Sequence, residues 1–323
     1  MEIITNITED VIKKAAKALK DGNLVAFPTE TVYGLGADAT NETAVGRIYS
    51  VKGRPANHPL IVHISSVNQI NKWAIDIPDY ALKLATKFWP GPMTLILKRN
   101  KLAKNFITGG QDNVGLRVPN QLIALALLNE FELLGGLGLA APSANRFGAI
   151  SPTTSLAVHE EIGEYLDSND LILDGSRCNI GVESTIIDCT TDIPTILRPG
   201  AITSKMIQKS LGRKITENYL SGVIKASGRL ASHYSPKAKV TLNKLAEFGE
   251  GMIAMANIPT PKGAFRLASP KNIEEYANIL YEALRDGDRK KLTEIKVILP
   301  EEEGLAEAIK DRITKSAQKV EQN

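Results

Sequence analysis

Hydrophobic and polar positions alternate between helical and extended patterns along most of the chain. Thr8 is a typical N-cap, and an apolar stripe that includes Val11 and Leu19 follows it, so we predict a helix over residues 9–21. The apolar run 24–27 predicts a buried strand. The same patterns predict helices over 42–52, 79–89, 120–130, 153–162 and 204–211, and strands over 59–64, 93–98, 114–118, 138–142, 171–173, 184–189 and 195–198.

This order of elements predicts an α/β protein with two domains. Several neighbouring strands leave no room for a crossover helix, so we expect a twisted mixed sheet with flanking helices over residues 1–214. Small and polar residues without periodicity then predict an interdomain linker or lid over 215–238. The remaining residues, 239–323, predict a smaller, Rossmann-like C-terminal α/β domain. Its expected strands lie near 239–243, 251–256 and 295–299, and its helices near 272–286 and 304–317.

The composition is that of a globular protein. Of the 323 residues, 43% are hydrophobic and 23% are charged, which excludes a disordered chain, a fibrous repeat and a disulfide-rich miniprotein. The N-terminus lacks the basic start and apolar stretch of a secretory signal, and no apolar run reaches the roughly 18 residues of a membrane span. We therefore expect a cytoplasmic location. Cys178 and Cys189 have no metal-ligand spacing, so neither a zinc site nor a disulfide is expected.

The sequence contains no glycine-rich phosphate loop of a known type. Residues 34–39 match the loose dinucleotide pattern G-x-G-x-x-A, but no helix signal begins before Asn41, so we interpret Gly34 and Gly36 as turn glycines. The net charge of +3 is also too small to predict a nucleic-acid partner by itself. If a nucleotide binds, local side chains must hold its phosphates.

Polar side chains follow the first buried strand directly. Thr29, Glu30, Thr31 and Tyr33 come after the run 24–27, at a place where α/β proteins often bind ligands. The alternative is a solvated turn with a helix cap. Residue types alone do not separate these two interpretations.

Cations lie together after the second predicted helix. Lys52 ends the predicted helix 42–52, and Arg54 and His58 follow it. At such a position cations often only interact with the helix dipole. Against that interpretation, arginine offers a bidentate fork and lysine a mobile charge, which a polyphosphate needs in the absence of a glycine loop. His63 is ambiguous, because a lone histidine on a strand is usually a core residue.

Two further arginines occupy otherwise apolar strands. Arg117 and Arg198 must either extend to water or meet an anion, since an unpaired buried guanidinium is costly. For Arg117, the carboxylate of a ligand would be a suitable anion. Ser143 ends another apolar strand but lacks the surroundings of a nucleophile, so we interpret it as a hydrogen-bonding group. With Arg54, these arginines predict a single anion pocket.

In these residues the sequence resembles the YrdC-domain family, and in particular its two-domain, Sua-type threonylcarbamoyl-AMP synthases. The matching motifs occur in family order over about residues 10–212. They are P-T-E-T-V-Y-G-L at 28–35, K-x-R at 52–54 with P-L at 59–60, W-P-G-P-x-T at 89–94, V-G-x-R-x-P at 114–119, A-P-S-A-N at 141–145, E-S-T at 183–185 and L-R-P-G at 197–200. Residues 227–236 resemble the family's interdomain linker, and residues 304–312 resemble its final helix.

The resemblance implies a reaction in which L-threonine, bicarbonate and ATP give L-threonylcarbamoyladenylate, pyrophosphate and water. The product would feed N6-threonylcarbamoylation of adenosine 37 in tRNA by downstream transferase machinery. Magnesium would accompany ATP, held by phosphate oxygens and water rather than by a set of protein ligands. Direct contact with tRNA is left open.

The resemblance also implies which residues contact each substrate. By motif position, Arg117 would take the carboxylate of threonine, and Tyr234 in the linker would reach the nucleotide as a lid. The implied threonine contacts are Thr31, His63, Arg117, Ala141 and Ser184. The implied ATP contacts are Lys52, Arg54, His58, Asn113, Ser143, Ser151, Arg198 and Tyr234.

Two other functions are compatible with this fold. A non-catalytic module could grip tRNA or double-stranded RNA, but it would need a broad basic stripe, whereas isolated arginines on apolar strands favour a small enclosed ligand. Carbamoyl transfer onto another protein, as in related hydrogenase-maturation proteins, would require additional regions that this chain lacks.

Overall fold

The computed structural model describes residues 2–219, 224–225, 228 and 233–318. Among these, the helices are α1 Glu9–Lys20, α2 Glu42–Lys52, α3 Ile70–Trp73, α4 Asp79–Phe88, α5 Asn105–Thr108, α6 Leu122–Leu133, α7 Ser155–Ile162, α8 Ser204–Leu211, α9 Ile273–Arg289 and α10 Leu305–Ala317. The strands are β1 Ile3–Ile4, β2 Val25–Phe27, β3 Gly34–Asp38, β4 Ile61–His63, β5 Met93–Lys98, β6 Asn113–Arg117, β7 Leu139–Ala140, β8 Leu171–Leu173, β9 Thr185–Asp188, β10 Thr195–Arg198, β11 Thr216–Glu217, β12 Lys239–Leu242, β13 Gly251–Ile253, β14 Phe265–Ala268 and β15 Glu294–Val297.

Local capping explains why the predicted helices begin where they do. The Thr8 hydroxyl accepts a hydrogen bond from the Val11 amide at 3.3 Å, and the Asn41 side chain accepts one from the Ala44 amide at 3.1 Å. Helix α2 ends at Gly53, which has a left-handed φ of 60°. That turn directs the chain from Lys52 into the loop that carries Arg54.

The large sheet is mixed, as the sequence predicted. Its strand order is β1-β8-β2-β3-β7-β4-β6-β5-β9-β10-β11. Strands β4 and β6 are parallel, as are β5 and β9, whereas β5 and β6 are antiparallel, as are β9 and β10. The centre of the sheet therefore contains both orientations, and its core is formed by apolar side chains from the sheet and its flanking helices. The edge strand β11 lies within the segment predicted as linker.

The interpretation of Gly34 and Gly36 as turn glycines is wrong. Both belong to β3, which pairs antiparallel with β2 and β7. A Cβ on Gly36 would lie 2.8 Å from the Phe27 ring, so the glycine permits close packing between neighbouring strands. Every residue of β3 is buried, so the strand shows no alternation of polar and apolar positions that could have identified it.

The C-terminal part has its own parallel sheet, in the order β12-β15-β13-β14. The predicted strands and helices of this part are all present, and β14 is an additional edge strand. Side chains of α9, including Tyr276 and Leu280, share an apolar cluster with Val32, Ile150 and Val182 of the first part. The two sheets are therefore joined by a buried contact. No helix within the described ranges is long and apolar enough to cross a membrane.

The linker prediction extends over residues that the structure does not describe. Residues 220–223, 226–227 and 229–232 lie outside the described set. His233 and Tyr234 are described, and both are buried. The division of the chain into residues 1–214, 215–238 and 239–323 stays a prediction.

Candidate active site

The strand pairing of the large sheet brings the predicted polar residues to one place. Parallel strands β4 and β6 align His63 with Arg117, the last residue of each. Ser184 directly precedes β9, and Arg198 ends the antiparallel strand β10 opposite Ile186. Because these strand ends lie at the same edge of the sheet, side chains at the ends of all four strands line one cavity.

All five residues predicted to contact threonine line this cavity. They are Thr31, His63, Arg117, Ala141 and Ser184. The hydroxyl oxygens of Thr29 and Thr31 lie 2.8 Å apart, and the Thr29 hydroxyl donates to the Val32 carbonyl at 2.7 Å. The loop after β2 is thus a closed hydrogen-bonded turn whose hydroxyls line the cavity.

Five of the eight residues predicted to contact ATP line the same cavity: Lys52, Arg54, Ser143, Arg198 and Tyr234. The other three lie near it. The ring of His58 is 5.3 Å from that of Phe147, which lines the cavity, and Asn113 lines a smaller adjoining cavity that shares Ile61 with the first. Ser151 is fully buried and donates to a carboxylate in the cavity wall.

The three arginines of the predicted anion pocket converge as expected, since Arg54, Arg117 and Arg198 all line the cavity. The sequence left the partners of these arginines open, and the structure supplies partners within the protein for Arg117 and Arg198. Arg117 Nη2 forms an ion pair with Glu30 Oε1 at 2.8 Å, although the N–H is not aligned for a hydrogen bond. The carboxylate predicted as a ligand for Arg117 is therefore partly supplied by the protein itself.

Glu30 explains how Arg117 can occupy an apolar strand. Both side chains are about 6% exposed, and leaving either charge without the other would be costly. Glu30 does not belong to the cavity lining, so it supports Arg117 from behind. The guanidinium also donates to the Gly91 carbonyl at 3.4 Å through Nε.

Arg198 is held by the residue beside it in the cavity wall. Its Nε and Nη2 donate to the Ser184 carbonyl at 3.0 and 2.9 Å, and Nη2 also approaches the Ser184 hydroxyl at 3.1 Å. The Ser184 hydroxyl in turn lies 2.8 Å from that of Thr94. These bonds preorganise Ser184 and Arg198 as a unit.

Lys52 and Arg54 carry positive charge into a buried region. Lys52 Nζ donates to the carbonyls of Ser143 and Asn145, and Arg54 Nη2 donates to the Pro59 carbonyl at 2.9 Å. Burial lowers the pKa of Lys52 well below its usual value, and the nearby Arg54 lowers it further. Burial also lowers the pKa of Arg54 to about 10. An anion in the cavity would oppose both effects and stabilise the charged forms.

Aromatic rings close the cavity on the linker side. The guanidinium of Arg54 lies 5.6 Å from the Phe147 ring centroid, and the His233 ring contacts those of Phe147 and Tyr234 edge to face. Tyr234 is 1% exposed, has a positive φ of 62°, and its buried hydroxyl has no hydrogen-bond partner within the described part of the chain. This strained tyrosine presents an unsatisfied polar group to the cavity.

The cavity has an excess of positive charge. Among the described lining residues, Lys52, Arg54, Arg117 and Arg198 are cationic and Glu183 is the one carboxylate. Burial lowers the pKa of His63 to about 3, with the charge of Arg117 as a second cause, so this imidazole is neutral near pH 7. The arrangement can bind a polyanion beside a group that needs hydroxyl donors and a carboxylate partner.

Sequence reasoning missed several side chains at this site. Glu30 and Glu183 were visible in the motifs but received no role, and Phe147 had no distinguishing signal. Tyr281 and Arg312 come from α9 and α10 of the C-terminal part, and both contact Glu183. One signal could have identified Arg312, because it lies on the apolar face of its helix, three residues after Ile309.

The two buried histidines should make the protein less stable at acidic pH. Burial lowers the pKa of both His63 and His233 to about 3, below the ordinary value of 6.5. Unfolding therefore takes up a proton at each ring between these two pH values, and stability falls as the pH falls. We expect the free energy of unfolding to drop by about 1.4 kcal/mol per pH unit for each histidine below about pH 6.

Urea denaturation between about pH 6 and pH 5, before most carboxylates titrate, measures this slope. The variant His63→Gln serves as the control, since it removes one of the two rings. A slope in the variant equal to that of the wild type would contradict the assignment of a neutral buried His63.

The fold and the cavity define an α/β protein with a buried, cationic small-molecule site. The profile of the Sua5/YciO/YrdC family, described as "Telomere recombination", matches residues 17–200. A second profile, "Threonylcarbamoyl-AMP synthase, C-terminal domain", matches residues 202–318. The chain belongs to the Sua5/YciO/YrdC family and carries the C-terminal domain of its Sua5 branch.

Relatives of known name extend over the whole chain. The threonylcarbamoyl-AMP synthase of Pyrococcus abyssi is 39% identical, with 98% of each chain covered, and that of Bacillus subtilis is 37% identical, with 98% of this chain and 95% of the relative covered. A crystal structure of P. abyssi Sua5 complexed with L-threonine superposes with a TM-score of 0.89 at 38% identity and covers 98% of each chain. The predicted family is confirmed.

Proposed function

We propose that this chain is an L-threonylcarbamoyladenylate synthase, a nucleotidyltransferase that makes threonylcarbamoyl-AMP, pyrophosphate and water from L-threonine, bicarbonate and ATP. The observation that carries the proposal is the convergence of Arg54, Arg117 and Arg198 on one buried cavity whose wall also carries hydroxyl groups. Relatives named threonylcarbamoyl-AMP synthase cover the same length of chain, which supports the same activity.

We assign the two substrates to different sides of the cavity. Arg117, fixed by Glu30, takes the threonine carboxylate, and the hydroxyls of Thr31 and Ser184 face the rest of the amino acid. His63 is neutral and offers a ring nitrogen, Nδ1, that is buried without a hydrogen-bond partner in the described residues. A neutral ring nitrogen can accept a hydrogen bond from the uncharged amino group that captures carbon dioxide.

The triphosphate lies against the cationic side. Lys52, Arg54 and Arg198 surround it, with Ser143 as a further donor. We assign Asn113, which lines a small adjoining cavity that shares Ile61 with the first, to the nucleoside side. His58 contacts the ring of Phe147 in the cavity wall, and Ser151 acts indirectly by donating to the carboxylate of Glu183 at 2.6 Å.

The chemistry requires two anions to meet. The threonine amine captures carbon dioxide derived from bicarbonate as a carbamate, and a carbamate oxygen then attacks the α-phosphorus of ATP while pyrophosphate leaves. Such a reaction depends on positioning and on stabilisation of negative charge rather than on a nucleophilic side chain. The excess of cationic groups in the cavity meets that need.

We propose that magnesium enters as part of the nucleotide substrate. Glu183 is the one carboxylate among the described lining residues, and its oxygens already accept from Ser151, Tyr281 and Arg312. A fully committed carboxylate does not suit a metal ligand, so phosphate oxygens and water would hold the ion.

We propose that Tyr234 covers the nucleotide side. The buried, unsatisfied Tyr234 hydroxyl suits a contact with bound nucleotide, and a closed lid would protect a labile acyl adenylate from water. The product would pass to the tRNA-modifying transferase machinery of a cytoplasmic pathway. A module that only binds RNA is not supported by the named relatives.

The purified protein supplied with ATP, magnesium, bicarbonate and L-threonine should release pyrophosphate. We expect L-serine to serve poorly, at least about tenfold below threonine in kcat/KM, because it lacks one methyl group of apolar contact. A coupled pyrophosphate assay and mass spectrometry of the adenylate measure the reaction. Absence of pyrophosphate together with tight RNA binding at physiological salt would favour the RNA-binding module instead.

A further inference from the structure

The C-terminal domain contacts Glu183, a residue that lines the proposed active site. We infer that Arg312 and Tyr281 are positioning residues for Glu183, and that through this carboxylate the C-terminal domain organises the side of the cavity that receives the ATP phosphates. The inference rests on the proposed function for the identity of the substrate. Its structural basis is a cluster of buried contacts between the two parts of the chain.

Glu183 is bound from both sides of the interface. Its Oε1 accepts from the Ser151 hydroxyl at 2.6 Å, within the first part of the chain. Its Oε2 accepts from the Tyr281 hydroxyl at 2.8 Å and from Arg312 Nε at 2.8 Å, both in the C-terminal part. The Arg312 side chain is fully buried, and that of Glu183 is 8% exposed. Among the described residues, two of the three hydrogen bonds to this carboxylate thus come from the C-terminal domain.

The contact continues directly to a cation of the cavity. Glu183 precedes Ser184, whose carbonyl and hydroxyl hold the guanidinium of Arg198. A second bond from Arg312, Nη2 to the Glu183 carbonyl at 3.4 Å, secures the backbone at the same point. A shift of Glu183 therefore moves the acceptors of Arg198.

The charges around Glu183 support the same role for Arg312. Burial alone would raise the pKa of Glu183, but Arg312 and Arg198 together with its hydrogen bonds hold that pKa at about 2. The groups that face the carboxylate include Arg312, Tyr281, Ser151, Arg198, Tyr234 and His233. Without Arg312, the buried carboxylate would lose its main counterion beside a cavity meant for a polyanion.

This predicts a difference between the two substrates. An undercompensated carboxylate repels the triphosphate strongly, because the triphosphate carries several negative charges, but it affects zwitterionic threonine weakly. Loss of Arg312 should therefore raise the KM for ATP much more than the KM for threonine. A purely structural role would change stability without this split between substrates.

Another ion pair across the same interface provides a matched control. Arg289 of α9 pairs with Glu160 of α7, with Nη2 to Oε2 at 2.8 Å and Nε to Oε1 at 3.1 Å. Neither residue lines the cavity. Arg289→Gln thus weakens the docking of the two parts without reaching Glu183.

The test compares variants by steady-state kinetics and by calorimetric titration with ATP, below each variant's unfolding temperature. We expect Arg312→Gln to raise the ATP KM about tenfold with the threonine KM within about threefold, and Arg289→Gln to leave both within about twofold. The double variant Glu183→Gln with Arg312→Gln should recover part of the ATP affinity, because it removes the undercompensated charge.

Two milder variants keep the inference falsifiable if Arg312→Gln does not fold. Arg312→Lys keeps the charge but has one donor nitrogen in place of three, and Tyr281→Phe keeps the ring but removes one hydrogen bond. Each should raise the ATP KM about threefold. The inference would be overturned if both variants had the same KM and affinity for ATP as the wild type. Equal effects of Arg312→Gln and Arg289→Gln on the ATP KM would also overturn it. If the wild type makes no pyrophosphate, the proposed function fails, and the calorimetric ATP affinities still test the positioning role.

Discussion

Replacement of Arg117 by alanine should lower kcat/KM for threonine at least about a hundredfold, because a buried bidentate pair between arginine and carboxylate contributes about 3 kcal/mol and each 1.4 kcal/mol is a factor of ten. The ATP KM should stay within about threefold of the wild type, since Lys52, Arg54 and Arg198 remain. Initial rates of pyrophosphate release, with one substrate varied at a time, measure both constants.

The same change also leaves Glu30 without its counterion. We therefore expect a loss of stability of about 3 kcal/mol, which thermal unfolding detects separately from kinetics. The double variant Arg117→Ala with Glu30→Gln should restore stability but not threonine use. Arg99→Ala is a suitable control, because Arg99 pairs with Asp112 outside the cavity. Full recovery of threonine use in the double variant would contradict the role of Arg117 as the carboxylate ligand.

Arg54→Ala should have the reciprocal effect. Arg54 is buried beside Lys52, and its guanidinium faces the cavity over the Phe147 ring, so its removal takes one charge from the phosphate side. We expect the ATP KM to rise at least about thirtyfold, as for the loss of a charge-assisted hydrogen bond of about 2 kcal/mol, with a small change in the threonine KM. The same pyrophosphate assay measures both constants.

The two arginine variants serve as controls for each other. Arg117→Ala and Arg54→Ala remove the same functional group from the same cavity, so general effects of losing an arginine are shared. Equal loss of threonine and ATP use in both variants would contradict the division of the cavity into two substrate sides.

Local sequence signals were sufficient for most elements of the fold. The caps at Thr8 and Asn41 and the glycine after Lys52 act within a few residues, so the bounds of α1 and α2 follow from them. Strand β3 was not predictable in this way, since its glycines are explained by the neighbouring Phe27 and not by their own segment.

For the site, the resemblance and the isolated arginines identified the residues, but their partners remained hidden. Arg117 meets Glu30, and Arg312 meets Glu183 from a position 129 residues away in sequence. Such pairs depend on how strands and domains pack together, and the periodicity of a single segment does not contain this information.

The sequence by itself determined the α/β class, most helices and strands, and the set of arginines and hydroxyls that form the cavity, because caps, apolar periodicity and charges on apolar strands are local properties. Only the tertiary structure decided which carboxylate balances which arginine and that side chains of the C-terminal helices bind a carboxylate of the cavity wall. The reason is that a buried charge pairs with whichever opposite charge lies beside it in the folded chain, and the packing of distant segments decides which side chains become neighbours.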